Sequence, residues 1–178
     1  MDVLQVIRER YSVRAYSDRP VEDDKLAAVL EAARLAPTAA NRQPFRVIVL
    51  QTAGRKEELA RIYKRPWFVQ SPLVLGVVAV TSEAWRRMDG KPYDEVDATI
   101  AMDHLILAAA ALGLGTCWVA AFDPAAAREI LALPEDVEPV AFTPLGYAAD
   151  QPKAKKRRPL KELVQYDRYT PPAPRPAE

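Results

Sequence analysis

Apolar and polar positions alternate with different periods along the chain, and the periods predict the elements. One nearly all-apolar stretch runs from Val96 to Asp123 (VDATIAMDHLILAAAALGLGTCWVAAFD). From Val96 to Leu112 it is apolar on almost every side of a 3.6-residue wheel, broken at Asp97, Thr99, Asp103 and His104. A helix of that kind belongs in an interior. Asp103 and His104 interrupt it well short of the ~18 uncharged residues that a membrane span needs. Gly113 and Gly115 predict its left-handed end. Thr116 to Phe122, rich in β-branched, aromatic and small residues, predicts a buried strand. The small pair Ala120-Ala121 at its end leaves room for something flat.

The remaining pattern is read in order. Asp2 to Arg10 predicts a short amphipathic helix with Val3, Leu4, Val6 and Ile7 facing inward. Glu22 to Ala36 predicts a second helix, with Glu22 and Asp23 suited to its positive start. Phe45 to Thr52 alternates as a strand, and Gly54 to Ile62 reads as a helix. Lys64 to Val69 is a loop in which Trp67 and Phe68 are ordinary core candidates. Pro72 to Val80 is continuously apolar, as in a central strand covered on both faces. Thr81 to Asp94 is polar and irregular. Asp123-Pro124 opens a helix as cap then proline, running to about Leu133. Pro139 to Gly146 gives one more strand, and Leu160 to Val164 a short helical piece. Thr170 to Glu178 is proline-rich and expected to be disordered, which leaves residues 1–169 as a single domain.

Composition narrows the class. A chain of 178 residues can bury a core covering ~70% of its unfolded surface. Its net charge of +1 gives no global field toward nucleic acid or a membrane. One cysteine excludes a disulfide framework and, with no secretory leader apparent, the expectation is a soluble cytoplasmic protein. A single His and a single Cys leave no common zinc site, so no metal is expected. There is no GxGxxG and no GxxxxGK[ST]: Gly113 and Gly115 have Trp118 where a third glycine would fall, and they follow a helix. His104, inside an apolar helix, reads as a core histidine rather than a triad base. A chain without its own nucleophile or metal borrows reactivity from an organic cofactor.

Three stretches carry candidate chemistry. In Arg10-Tyr11-Ser12-Val13-Arg14-Ala15-Tyr16, alternation places Arg10, Ser12 and Arg14 on one side of an extended segment. Two guanidinium groups flanking a hydroxyl can read an anion, and a solvated surface strand fits the same pattern. Ala36-Pro37-Thr38-Ala39-Ala40-Asn41-Arg42-Gln43-Pro44-Phe45 is a proline-fixed loop, a connector on chemistry alone. Lys153 to Arg158 (KAKKRR) fits a local phosphate clamp or a solvated loop better than a nucleic-acid contact, since the rest of the chain is neutral.

Taken together, RERYSVRAY, APTAANRQPF, LAAAALGLGTCWVAAFD, PLGY and KRRPLKELV, in that order, resemble the short, single-domain nitroreductase-family flavoproteins over about Val3 to Tyr169. The resemblance implies an α+β fold with a central mixed, mainly antiparallel sheet flanked by helices. It implies a homodimer with Val96–Leu112 at its interface and the C-terminal segment reaching across to the partner. FMN would be held non-covalently at that interface. Arg10 and Ser12 would hold its phosphate and ribityl end, Arg14 the pyrimidine edge, and Lys155 and Arg157 would complete the phosphate clamp. Pro37, Thr38, Ala39 and Asn41 would come from the other subunit, and the backbone of Ala120 and Ala121 would lie near N5. NADH or NADPH would then reduce the flavin, and a nitroaromatic, quinone or similar small-molecule acceptor would reoxidise it by ping-pong hydride transfer. Flavin fragmentation, substrate dehydrogenation or non-catalytic flavin binding are the alternatives on the same fold. Two departures stand out: Ala120 sits where the family often has glycine, and no Asn near Tyr63 to Pro66 is available for the flavin pyrimidine.

Overall fold

The computed structural model describes residues 2–171. Most of the proline-rich tail, residues 172–178, lies outside the described residues. The elements run α1 (Val3–Glu9), α2 (Asp23–Arg34), β1 (Phe45–Gln51), α3 (Lys56–Ala60), β2 (Leu73–Val80), α4 (Asp94–Ala111), β3 (Gly115–Thr116), α5 (Pro124–Leu131) and β4 (Val137–Gly146). Short 3-10 turns occur at Ala39–Asn41, Pro66–Val69, Thr81–Glu83 and Leu160–Glu162. None of the helices is long and apolar enough to cross a membrane among the described residues.

The four strands form one sheet in the order β1-β2-β4-β3, and every pairing is antiparallel. The parallel component is a single bridge, Ser12 beside Thr116, which lays the segment after α1 along the β3 edge. This is the α+β architecture of helices flanking an antiparallel sheet. β2 is apolar throughout because it is interior to the sheet and covered on both faces; all eight of its residues are buried. Its side chains alternate between two cores. Leu75, Val77 and Ala79 face α2 and α4, joining Val29, Ala33, Met102 and Leu105. Val74 faces the other way, toward Leu59, Phe68, Ala127 and Phe142. Each fully buried Leu or Phe in these layers contributes roughly 1.5–3 kcal/mol of transfer free energy. Gly76 is required opposite Phe142, whose Cε1 would lie 2.8 Å from an added Cβ.

α5 begins as the sequence predicts: Asp123 Oδ1 accepts from the N–H groups of Ala125 and Ala126 at 3.0 and 3.1 Å, and Pro124 takes the first turn.

Three expectations change. Thr116 to Phe122 is not a strand of its own. Only Gly115–Thr116 pair continuously with β4, and Val119 touches it again at Phe142. The segment is buried as far as Val119 because loop side chains, not a ladder, plug the sheet edge. Of the apolar residues of α1, only Val6 is buried; Val3, Leu4 and Ile7 are 60%, 54% and 50% exposed. The helix meets α4 along a narrow line, so its apolar face has no cover among the described residues. Finally, the two glycines after α4 do different work. Gly113 is left-handed, with φ 75°. Gly115 is not. It is needed because a Cβ there would stand 2.7 Å from Val13 Cγ2.

That contact holds the Arg10–Arg14 segment against β3. Gly115→Ala forces an overpacking that a β-branched neighbour cannot relieve, costing about 1–3 kcal/mol. The expected outcome is a melting temperature lower by several degrees, partly restored in the Gly115→Ala/Val13→Ala double variant. Simple additivity of the two losses would show that the close approach does not matter.

Candidate functional site

The segment after α1 is anchored from beneath. Val13 and Tyr16 are buried, the Tyr16 hydroxyl donates to the Val13 carbonyl at 3.0 Å, and the Val13 N–H donates to the Thr116 carbonyl at 2.9 Å. With Val13 turned inward, Arg10, Ser12 and Arg14 line the open side, as alternation predicts, while Tyr16, of the same parity, is buried instead. The opposite wall is the start of the C-terminal arm. The Ala149 N–H donates to the Ala15 carbonyl at 2.8 Å, which sets the arm antiparallel to the segment. Between them lies a cavity of about 330 Å³ lined by six cations, Arg10, Arg14, Lys153, Lys155, Lys156 and Arg157, and by Ser12.

Six cations around one space repel each other unless an anion enters. Partial loss of solvation, then the charges of Arg10 and Arg157, lower the Lys155 ammonium from its ordinary value. It donates to the Arg8 carbonyl, which draws the arm over the end of α1. One carboxylate organises the walls. Asp150 accepts the Arg14 N–H at 2.8 Å through Oδ2 and the Tyr11 hydroxyl at 3.1 Å through Oδ1, while its own carbonyl accepts from the same hydroxyl at 3.0 Å. Burial and this bond raise the Tyr11 phenol above its ordinary value. Neither Tyr11 nor Asp150 is a site candidate on sequence grounds. They are 139 residues apart, and a lone acid ahead of a basic run carries no signal for its partner.

Arg14 also marks the boundary of the site. Its guanidinium carbon is 6.0 Å from the Trp67 ring centroid, and Trp67 packs edge-on against Tyr63 at 5.4 Å. Phe68 is a core residue. Behind Arg14 lies buried Cys117, whose thiol is pushed up by burial against the pull of the Arg14 charge.

The other sequence candidates lie elsewhere on the chain. Pro37, Thr38, Ala39 and Asn41 do not line the cationic cavity. They form the loop between α2 and β1, where Thr38 Oγ1 accepts the Gln43 N–H at 3.1 Å and the Ala39 N–H donates to Asp97 Oδ1 at 2.9 Å. Ala120 and Ala121 are exposed, and Ala121 borders a second cavity with Tyr63, Lys64 and Arg65. Within one chain, therefore, the N-terminal and C-terminal cations converge, and the loop and the alanine pair stand apart from them.

Comparison with known proteins gives this arrangement a family. A sequence model of the nitroreductase family matches residues 7–73 and 63–147. A Methanothermobacter thermautotrophicus protein named as a NADH dehydrogenase/NAD(P)H nitroreductase is 31% identical over 156 residues, spanning 85% of this chain and 80% of its own length. A Bacillus subtilis FMN reductase [NAD(P)H] is 29% identical, over 94% of this chain and 74% of its own. A crystal structure of a nitroreductase family protein from Clostridium difficile superposes with a TM-score of 0.88 at 37% identity, covering 95% of this chain and all of that one. The chain belongs to the nitroreductase family.

Because Asp150 ties the arm to the N-terminal segment, Asp150→Ala should free the arm while leaving the buried core intact. Trypsin cleavage among Lys153 to Arg158 is then expected to accelerate on the order of tenfold, the loss of about 1.4 kcal/mol of hydrogen bonding to a charged group. An unchanged cleavage rate would show that the carboxylate does not organise the wall.

Proposed function

We propose that this protein is an FMN-dependent NAD(P)H oxidoreductase that reduces nitroaromatics, quinones or similar small acceptors, and that it works as a homodimer. The observation that carries the reading is the cationic cavity shared by Arg10, Ser12, Arg14, Lys155 and Arg157. Its donor set suits a phosphate monoester: guanidinium groups for bidentate bonding, ammonium groups for point charge, and a hydroxyl. Family membership supplies the identity of the phosphate-bearing cofactor, and the names of the relatives, NAD(P)H nitroreductase and FMN reductase, support the donor and the chemistry.

In this reading Arg10, Ser12, Lys155 and Arg157 bind the phosphate and its ribityl tether. Arg14 places a positive charge at the pyrimidine edge, favouring the anionic reduced ring and so raising its potential. Trp67 lies within cation–π range of that guanidinium, its ring centroid 6.0 Å away. When bound, FMN supplies hydride transfer at N5 between a nicotinamide and an acceptor that occupy one site in turn. The Ala120-Ala121 backbone would lie near N5, with no side chain large enough to cover it. No residue of the chain needs to act as acid or base.

The dimer is inferred from uncovered apolar surface. Val3, Leu4 and Ile7 of α1 and Val96 of α4 are exposed. So are Leu160, Leu163, Val164, Tyr166 and Tyr169 of the arm, of which Tyr166 is 85% exposed. Every described residue from 151 onward is exposed. An apolar arm leaving its own chain and an apolar helix face without cover together fit a second copy, whose Pro37–Asn41 loop would reach the flavin. An obligate interface of this kind buries well over ~2,000 Å².

Two measurements test the proposal. The purified protein is expected to be yellow, to bleach anaerobically with NADH or NADPH, and to recover its colour on adding a quinone or nitroaromatic. Protein that takes up no FMN would overturn the reading, and yellow protein that neither nucleotide bleaches would reduce it to a binding module. In sedimentation, the wild type should run as a dimer and Leu163→Asp/Tyr166→Asp should shift it toward monomer with weakened FMN binding. A monomeric wild type would remove the dimer and the partner-supplied loop from the proposal.

A further inference from the structure

Deepening that reading, we propose that Asp97 is a positioning residue for the flavin site: from the first turns of α4 it fixes the conformation in which the Pro37–Gln43 loop meets the cofactor. The loop is unusual in its backbone. Ala40, Asn41 and Gln43 have φ of 49°, 54° and 53°, so three non-glycine residues within four positions are left-handed. Each carries a conformational cost that surrounding structure has to override. The bonds within the loop are local: Asn41 N–H to the Thr38 carbonyl, Arg42 N–H to the Ala39 carbonyl, and Gln43 N–H to Thr38 Oγ1, at 3.0, 3.1 and 3.1 Å. They shape the loop but do not fix it to the body.

The tie from the Ala39 turn to α4 is Asp97. Its Oδ1 accepts the Ala39 N–H at 2.9 Å. The residue is 2% exposed, and its Oδ2 has no hydrogen-bond partner among the described residues. A buried carboxylate with one unused oxygen is an expensive way to hold a single amide. Its neighbour one turn earlier makes the contrast. Asp94, also buried, accepts the Thr81 hydroxyl at 2.6 Å and fixes the end of β2. Asp97 spends its burial on the loop alone. Two features are thereby accounted for together: a strained loop that would otherwise relax, and a second buried acid in α4 that has no part in the cationic cavity. The three small or polar residues Thr38, Ala39 and Asn41 are presented as a fixed surface because α4 holds their backbone from behind.

The test is a double-mutant cycle in the FMN-loaded dimer. Asp97→Ala removes the acceptor. Ala39→Pro removes the donor, at the first position of a 3-10 turn preceded by extended Thr38, where proline fits. Asp97→Asn keeps an acceptor oxygen. Amide exchange of residues 38–43, visible circular dichroism of the bound flavin, and the FMN dissociation constant are read for each. Asp97→Ala and Ala39→Pro should each accelerate loop exchange about tenfold or more and alter the flavin dichroism, with the double variant no worse than either single one. Asp97→Asn should recover most of the wild-type behaviour. Unchanged loop exchange in Asp97→Ala, or fully additive effects, would overturn the proposal. If Asp97→Ala fails to fold, Ala39→Pro beside Asp97→Asn still decides it: normal exchange in Ala39→Pro sinks the tie. Loosened loop exchange with an unaltered flavin spectrum would overturn the link to the cofactor. Wild-type protein that binds no FMN would instead overturn the proposed function, and would be evident before any variant is made.

Discussion

Like charges do not gather without a reason. The constraint on which the rest of this structure depends is the convergence of cations from both ends of the chain on one open space. Two devices oppose their repulsion in the polypeptide itself. Asp150 supplies a single carboxylate, and its two oxygens are already engaged by Arg14 N–H and the Tyr11 hydroxyl. The core supplies the other: Val13, seated against Gly115 and bonded to Thr116, keeps the N-terminal cations at the sheet edge whatever their mutual repulsion. What remains is an unbalanced positive cavity, and a doubly charged phosphate is a ligand whose chemistry suits it.

The fold can be understood as the scaffold for that convergence. α4 and β2 form a core rigid enough to fix the β3 edge, and the edge is left open for the Arg10–Arg14 segment by the shortness of β3 itself. The same helix carries Asp97 on another side and so reaches the Pro37–Gln43 loop. One buried element thus controls two surfaces that a single chain keeps apart. The uncovered apolar faces of α1 and the arm are those through which the proposed dimer would bring the two surfaces together.

Much of this was legible in the sequence because it rests on periodicity. The all-apolar runs of α4 and β2 name their own positions in the core, and the alternation of Ser12 and Arg14 about buried Val13 shows which side faces outward, although Tyr16, of the same parity as the cations, turns inward. What was not legible depends on distance along the chain or on the absence of neighbours. Asp150 and Tyr11 pair across 139 residues, with nothing local to announce it. Thr116 to Phe122 has strand composition, yet its pairing partner β4 is engaged at only two places, so burial rather than a ladder explains its apolar character. Val3, Leu4 and Ile7 follow the amphipathic rule faithfully, but no surface among the described residues covers them. Asp97 reads as a flaw in an apolar helix until the loop it holds is seen beside it.

The central claim is that the cationic cavity is built for a phosphate on a flavin, and the phosphate itself can be removed. Apoprotein titrated with FMN and, separately, with riboflavin measures its contribution directly. With charge-assisted bonds of about 1.5–3 kcal/mol each, FMN should bind at least a hundredfold more tightly than riboflavin, and the margin should shrink as salt is raised and in Arg157→Ala. Equal affinity for the two flavins, unaffected by salt, would contradict the account.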